Sequence, residues 1–501
     1  MFHTANAEWQ TAYDRALSIL QANIRVLPRY DKPILIEGAN YAGIWMESGP
    51  LEALIYRHFH LEAARNSHQI FFDLQRPDGQ IPANHKVSET GFGQIQMVVP
   101  IAATAWELAQ ATGDDELLRA AYRAGSAWDG WLLRNRNTRG TGLIEGFCTY
   151  DTGHDNSPRW AGIPPQCPDK DAKRFPPIPT LPRLCPDLSA TVYGARIAHS
   201  AMAKALGESA EADRWSESAE KIRQLILSKL YVEADAAFYD LDAQNHFVRI
   251  RCDILSRVCG EHVPDATLFN ALWNRQLHNP AAFWPLYPLP SVALDDPLFV
   301  RPIPRNSWGG ASQALTALRA ARWLEHYGHP AEFSALMNRW CEAIRADGRF
   351  RQQLDPLNGQ FTEGEPNYSP TALVLVDYAW RLAGVREESG ILEWNIRPGH
   401  AAAQSAVFRT RSSAGKNLEL RYGKTDAEIR VAGKLLGRVE TRAVRVVTDT
   451  FGTPTVLVGI SEQSQRVVLR WADKPPREIV VEPNQLVPFA NNGRGPNGLP
   501  R

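Results

Sequence analysis

Residues 314–324 read Ala314-Leu-Thr-Ala-Leu-Arg-Ala-Ala-Arg-Trp-Leu324. Ala314, Ala317, Leu318 and Ala321 fall at i, i+3, i+4 and i+7, the spacing that lines one face of an α-helix. Leu51-Glu-Ala-Leu-Ile-Tyr-Arg repeats the pattern. The same period predicts helices at about 7–25, 50–70, 95–112, 115–134, 187–206, 209–229, 264–275, 310–327, 330–346 and 369–383. Punctuation agrees: Gly113-Asp-Asp opens the 115–134 stretch and Asn137 to Gly142 closes it. Long connections at 30–49, 71–94, 138–186, 280–312 and 347–368 hold most of the Pro, Gly, His and isolated aromatic residues. Connections of that length are functional or disordered, and these are too aromatic for disorder. Paired helices with such loops gathered at one end describe a mainly α protein, an α/α toroid over residues 1–388.

Beyond about residue 390 the period changes to two. Ala406-Val-Phe-Arg-Thr-Arg, Asn417-Leu-Glu-Leu-Arg-Tyr and Gln465-Arg-Val-Val-Leu-Arg-Trp alternate apolar with polar residues, and Gly452-Thr-Pro marks a turn. The expectation is a small C-terminal antiparallel β-sandwich over 389–490, followed by a mobile tail at 491–501.

The 501 residues carry 55 Lys+Arg against 55 Asp+Glu, a formal net charge of zero. A balanced chain offers no broad basic footprint for nucleic acid and no attraction to acidic membranes. The N-terminus, Met1-Phe-His-Thr-Ala, has no cationic start followed by an apolar run, so no signal peptide is expected. No apolar run is long enough to span a membrane. Cys148, Cys167, Cys185, Cys252, Cys259 and Cys341 show no CxxC spacing, which points to reduced thiols of a cytoplasmic protein; in an exported one, Cys167 and Cys185 would be the pair to bridge.

One loop carries the strongest chemical signal. Residues 151–160 are Asp-Thr-Gly-His-Asp-Asn-Ser-Pro-Arg-Trp. A carboxylate (Asp155), an amide (Asn156), a Ser-Pro turn, a cation (Arg159) and an indole (Trp160) suit carbohydrate: an acid for a leaving oxygen, polar groups for hydroxyls, a ring for a sugar face. A plain surface turn is the competing reading. Other Trp residues also stand among polar neighbours, at Trp45-Met46-Glu47 and Ser307-Trp308-Gly309.

Taken in order, the loops resemble glycoside hydrolase family 63 and its clan, the glucosidase I-like enzymes, mannosylglycerate hydrolases and trehalases, across roughly residues 30–385. Gly38-Ala-Asn-Tyr41-Ala-Gly-Ile-Trp45-Met-Glu47-Ser-Gly-Pro50 is similar to the family's first sugar-binding loop, which usually ends in Asp rather than Glu. Gln75-Arg-Pro-Asp-Gly-Gln-Ile-Pro resembles its Gln-x-x-Asp-Gly turn. Phe283-Trp284-Pro-Leu-Tyr287 and Arg305-Asn-Ser-Trp308-Gly-Gly fall where the family places subsite aromatics and an Arg-Gly-Pro-x-Trp loop, with Asn306-Ser307 replacing Gly-Pro. The resemblance implies an (α/α)6 toroid and an inverting, exo-acting hydrolase of a small, α-linked glucoside or mannoside. Asp155 would be its general acid. Tyr41, Trp45, Glu47, Gln75, Asn156, Arg159, Trp160, Trp284, Tyr287, Arg305, Trp308, Gln352 and Tyr368 would contact substrate. No cofactor or metal is implied.

The general base is where this chain departs from the family. A Phe-x-Glu-Tyr-x-x-Pro pattern is replaced by Phe350-Arg351-Gln352-Gln353-Leu354-Asp355-Pro356, and an amide does not deprotonate water. Glu363 or Glu365, in the loop Phe361-Thr-Glu-Gly-Glu-Pro-Asn-Tyr368, is the favoured base. Asp355, Glu37 and Glu47 are alternatives. A sugar-binding pseudo-enzyme that lacks the base is the rival from another class, and an epimerase or lyase on the same toroid is a third reading. His60, His85 and His154 lack the spacing of metal ligands, and Gly-x-Ser-x-Gly, P-loop and dinucleotide motifs are missing.

Overall fold

A computed structural model describes residues 1–388, 390–472 and 474–489; the expected tail at 491–501 lies outside the described residues. The helices, in chain order, are α1 (Ala7–Ala22), α2 (Gly49–Tyr56), α3 (Leu61–Asp73), α4 (Ile101–Thr112), α5 (Asp115–Asn135), α6 (Pro186–Ala205), α7 (Ser209–Leu230), α8 (Ile254–Gly260), α9 (Ala266–Leu272), α10 (Ala314–Arg319), α11 (Ala321–Leu324), α12 (Pro330–Asp347) and α13 (Ser369–Ala383).

Most boundaries follow from capping chemistry. Asp114 opens α5 by accepting from the Leu117 N–H, and α4 ends at Gly113, whose φ of 67° is the left-handed C-terminal conformation. Three expected helices are shorter than their periodicity. The 50–70 stretch breaks into α2 and α3, because His60 caps α3 by accepting from the Ala63 N–H at 3.2 Å. The 95–112 stretch becomes helical only after Pro100, whose ring keeps the preceding residue extended. The 310–327 stretch yields α10 and α11, interrupted at Ala320. Helix α8 escaped the sequence reading because all seven of its residues are buried, so it has no polar face to reveal a period.

Two compact units emerge. One comprises Ile19–Trp323 and Arg349–Leu373. Among its elements, short strands pin the long loops. Gly43–Trp45, Asn84–Lys86 and Thr90–Gly91 make one antiparallel sheet; Glu145–Gly146, Arg183–Leu184, Asp240–Leu241 and Phe247–Val248 make another. Ser312–Gln313 pairs with Gln353–Leu354.

The second unit comprises Met1–Ser18, Leu324–Gly348 and the described residues from Val374 onward. It holds two antiparallel sheets. The seven-stranded sheet runs Phe2–His3, Val407–Arg411, Asn417–Tyr422, Asp426–Val431, Lys434–Glu440, Gln465–Trp471 and Arg477–Val481. The five-stranded sheet runs Val385–Glu388, Ile391–Ile396, Val444–Asp449, Pro454–Val458 and Leu486–Pro488. Asp426–Val431 alternates buried with half-buried residues, as a strand with one face on a core must. Val444–Asp449 is buried along nearly its whole length. Beside it, Arg445 forks onto Glu325 at 2.7 and 2.8 Å.

Candidate active site

The decapeptide 151–160 is held from below by buried ion pairs. Asp151 takes both arms of Arg136, at 2.5 and 3.1 Å, and also accepts from the backbone of Ile95, Phe147 and Cys148. Arg159 commits all five of its N–H groups: to Asp240 at 2.8 and 2.6 Å, to Asp187 at 2.7 and 2.8 Å, and to Nδ1 of His154 at 3.1 Å. Burial, then the nearby Arg257 charge, lowers His154 to about 4. It is therefore neutral, with Nδ1 accepting and Nε2 donating to Asp253 at 2.5 Å. The Trp160 indole donates to Thr152 Oγ1 at 2.8 Å and is 2% exposed.

On this frame Asp155 and Asn156 are the residues left accessible between His154 and Ser157. Asn156 adopts a φ of 56° and donates to the carbonyl of Asn306 at 2.7 Å. In return the Trp308 N–H donates to the Asp155 carbonyl at 2.9 Å, so the two loops clasp each other.

A line of hydrogen bonds leads away from the acid. Asn306 Nδ2 donates to Asp155 Oδ2 at 2.8 Å, Gln352 Nε2 donates to Asn306 Oδ1 at 2.8 Å, and the Tyr41 hydroxyl donates to Gln352 Oε1 at 2.9 Å. The Tyr41 ring meets Trp45 edge-on at 5.7 Å and Tyr368 at 5.9 Å. The Tyr368 hydroxyl donates to Glu37 at 2.5 Å. Tyr41, Trp45, Glu47, Asp155, Asn306 and Gln352 are all half-buried, so each keeps some exposure to solvent.

The electrostatics are unusual. Burial raises Asp155 to about 6, against the opposing hydrogen bond from Asn306. Burial, then the charges of Glu37 and Asp155, raises Glu47 to about 8, while Arg257 and Arg319 pull the other way. Glu37 and Glu52 are also displaced upward, first by burial and then by neighbouring carboxylates. Arg257 and Arg319 flank the Trp308 ring at 5.2 and 5.7 Å. Arg257 also binds Asp253 at 3.0 Å and the carbonyl of Thr152 at 2.5 Å. Gathered acids with displaced pKa values are a common mark of a catalytic site.

Of the predicted contacts, the structure brings together Tyr41, Trp45, Glu47, Asp155, Gln352 and Tyr368, with Asn156 and Trp308 at the loop clasp. Arg305 is exposed but lies within electrostatic reach of the Tyr41 hydroxyl. Others serve the scaffold. Gln75 donates to the carbonyls of Gly79 and Ala124, at 2.9 and 2.8 Å, and holds its own turn. Arg159 and Trp160 are buried in the network just described. Trp284, 7% exposed, packs edge-on against Trp273 at 5.5 Å. Tyr287 sits beside Gly359. Glu363 and Glu365, the favoured bases, are exposed in their loop, and no hydrogen bond or ion pair among the described residues joins them to Asp155. Asp355 is engaged by Arg301.

The model of the mannosylglycerate hydrolase MGH1-like glycoside hydrolase domain matches residues 41–371, well over half of the chain. The chain belongs to that family. It is a glycoside hydrolase. Its fold recurs in the family 63 mannosylglycerate hydrolase of Thermus thermophilus solved with Tris (20% identity, TM-score 0.59, 73% of this chain and 99% of that one). It recurs also in the neutral trehalase of Saccharomyces cerevisiae (14% identity, TM-score 0.54, 69% and 74%) and in a family 78 rhamnosidase of a Bacillus species (12% identity, TM-score 0.55, 86% and 41%). No curated protein sequence matches the chain.

Within this MGH1-like hydrolase, three buried groups bring Cys with acidic side chains: Cys148, Asp151 and Cys167; His154, Cys252 and Asp253; Cys185, Asp187 and Asp240. A guanidinium already occupies each set: Arg136, Arg257 and Arg159 respectively. A cation would have to enter beside that positive charge, so the sets fit ion pairing better than metal binding. All six cysteines are free, and the neighbour of Cys167 is Cys148, at 3.6 Å between sulfurs, rather than Cys185. No helix of the described residues is long and apolar enough to cross a membrane.

The residues missed by the sequence reading are Asn306, Arg257, Arg319 and Asp253. Asn306 offered one signal, as a departure from the Gly-Pro of the family's loop. Arg319 looks like an ordinary helix charge until the fold buries it, and Asp253 and Arg257 belong to a helix whose period the sequence does not show.

Proposed function

We propose that the chain is an inverting, exo-acting hydrolase of a small α-linked glucoside or mannoside, with Asp155 as general acid. The reading takes residues 1–388 as an (α/α)6 toroid, 389–490 as a β-sandwich, and the cytoplasm as the compartment. The observation that carries it is Asp155 itself. This carboxyl group is half-buried on a rigid frame and raised to about 6, so a fraction of it still holds its proton at neutral pH where an ordinary carboxyl does not.

In the proposed step Asp155 gives that proton to the glycosidic oxygen as the bond to the anomeric carbon breaks. A water attacks the opposite face and loses a proton to a carboxylate. We assign that carboxylate to Glu47. It is half-buried, interacts with the charge of Asp155, and faces the charges of Arg257 and Arg319, which favour its ionised form. With Glu47 raised to about 8 and Asp155 to about 6, the working form is the minority one in which Glu47 is ionised while Asp155 holds the single proton of the pair. Glu363 and Glu365 would serve only if their loop closed toward Asp155. Trp45 and Tyr41 offer aromatic surface to the sugar. Arg305, an exposed cation near Tyr41, suits an anionic aglycone such as a glycerate.

The test is incubation with a panel of α- and β-linked mannosides and glucosides, mannosylglycerate included, with free sugar detected and its first anomer followed by NMR. Release from an α-linked substrate with inversion supports the reading. Retention would require a nucleophile at roughly 5–5.5 Å from the acid and would overturn the mechanism. Binding without release from any substrate would favour the sugar-binding rival suggested by Gln352.

A further inference from the structure

Two departures from the family pattern, Gln352 and Asn306, touch each other. Gln352 Nε2 donates to Asn306 Oδ1 at 2.8 Å, and Asn306 in turn donates to Asp155 Oδ2 at 2.8 Å. The Tyr41 hydroxyl begins the chain, with Gln352 Oε1 at 2.9 Å as its hydrogen-bond partner among the described residues. The order of donors is not free. Each amide has an N–H face and a carbonyl face, so both must turn together. In one polarity Tyr41 donates, and Asp155 Oδ2 receives an N–H. In the other, Gln352 donates to Tyr41, and Asp155 Oδ2 must itself carry a proton to meet the Asn306 carbonyl. Tyr41 selects the first polarity, because its hydroxyl proton needs an acceptor and Gln352 Oε1 supplies one. With Oδ2 already receiving an N–H, the acid proton of Asp155 belongs on Oδ1.

We propose that Tyr41, Gln352 and Asn306 are positioning residues that hold Oδ2 of Asp155 as an acceptor and so present its proton on Oδ1, toward the leaving group. The inference rests on reading Asp155 as the general acid. It gives the amide at position 352 a role that a carboxylate there would not fill. Gln352 relays a fixed donor direction to the acid. The loop clasp serves the same end. The Asn156 side chain on the Asn306 carbonyl and the Trp308 N–H on the Asp155 carbonyl keep the amide and the acid in register.

The experiment compares kcat/KM on two glycosides of the same sugar, one with an alkyl leaving group and one with a 2,4-dinitrophenyl group that departs unprotonated. Wild type, Asp155→Asn, Asn306→Ala and Tyr41→Phe are measured across pH. Tyr41→Phe removes one oxygen only, which keeps the inference testable should Asn306→Ala fold poorly. Asp155→Asn is expected to lose roughly a hundredfold or more on the alkyl glycoside and far less on the activated one. Asn306→Ala and Tyr41→Phe should reproduce that selectivity at about tenfold. Asn306→Ala should also carry the limb of the pH profile that lies near 6 upward, since it removes the donor that favours the ionised form of Asp155. Equal losses on both substrates in Asn306→Ala and Tyr41→Phe, or none, would overturn the relay while leaving the acid assignment intact. Equal losses in Asp155→Asn would overturn the acid assignment and the relay with it.

Discussion

Glu47 lies against the backbone of Gly153, two residues before Asp155: a Cβ built on Gly153 would stand 1.7 Å from Glu47 Oε2. Gly153 also has a φ of 62°, which side chains rarely adopt. The glycine thus lets a half-buried carboxylate approach the loop that carries Asp155. Gly153→Ala is expected to displace Glu47, lower kcat/KM by roughly tenfold or more, and destabilise the fold by about 1–3 kcal/mol through backbone strain. Steady-state kinetics and denaturant unfolding check both effects. Wild-type kinetics in this variant would detach Glu47 from the reaction.

The assignment of the base separates by chemical rescue. Glu47→Ala should be nearly inactive and partly restored by azide or formate, small anions able to stand in for the missing carboxylate. Glu363→Ala and Glu365→Ala should retain most activity. Rescue confined to either of those two would move water activation into the 361–368 loop.

The pH dependence follows from the raised carboxyl groups. With Asp155 as the proposed acid and Glu47 as the proposed base, the productive form carries one proton on the pair, so kcat/KM should rise up to about pH 6, hold to about 8 and fall by about tenfold per unit above that. For stability, Glu47 sits at about 8 when folded against an ordinary 4.5. The unfolded chain therefore releases this proton first as pH rises. The contribution is fully present below about 4.5 and is lost progressively up to about 8. Thermal scans of Glu47→Gln should show a flatter decline in Tm across that window than wild type. Parallel curves would mean that Glu47 is not held protonated in the fold.

The buried frame has its own signature. Replacing Arg159 with Met leaves Asp187 and Asp240 without their main cation, and removal of one partner from a buried ion network costs about 3–5 kcal/mol. Denaturant unfolding should show a loss of this size. A near-neutral change would show that the carboxylates are readily satisfied elsewhere.

These contacts explain what could be read in advance. Helices with one wet face announced themselves, as at α5 and α7, whereas α8 is buried all round and carries no period. Asp155 was legible because acid, amide, cation and indole crowd into ten consecutive residues. The same crowding misled at Arg159 and Trp160, which the fold turns inward to hold that acid in place. Glu37 and Glu47 stood only as alternatives to Glu363 and Glu365, since composition does not reveal which carboxylates a fold will bury. Asn306 lies 151 positions from Asp155, a separation beyond the reach of any local pattern.

The most direct measurement is the turnover of Asp155→Asn on an unactivated glycoside, with circular dichroism to verify the fold. Loss of a general acid facing a poor leaving group should lower kcat by roughly 10²–10⁴-fold, with the spectrum unchanged. A folded variant that retains about half of wild-type turnover would remove Asp155 from the mechanism.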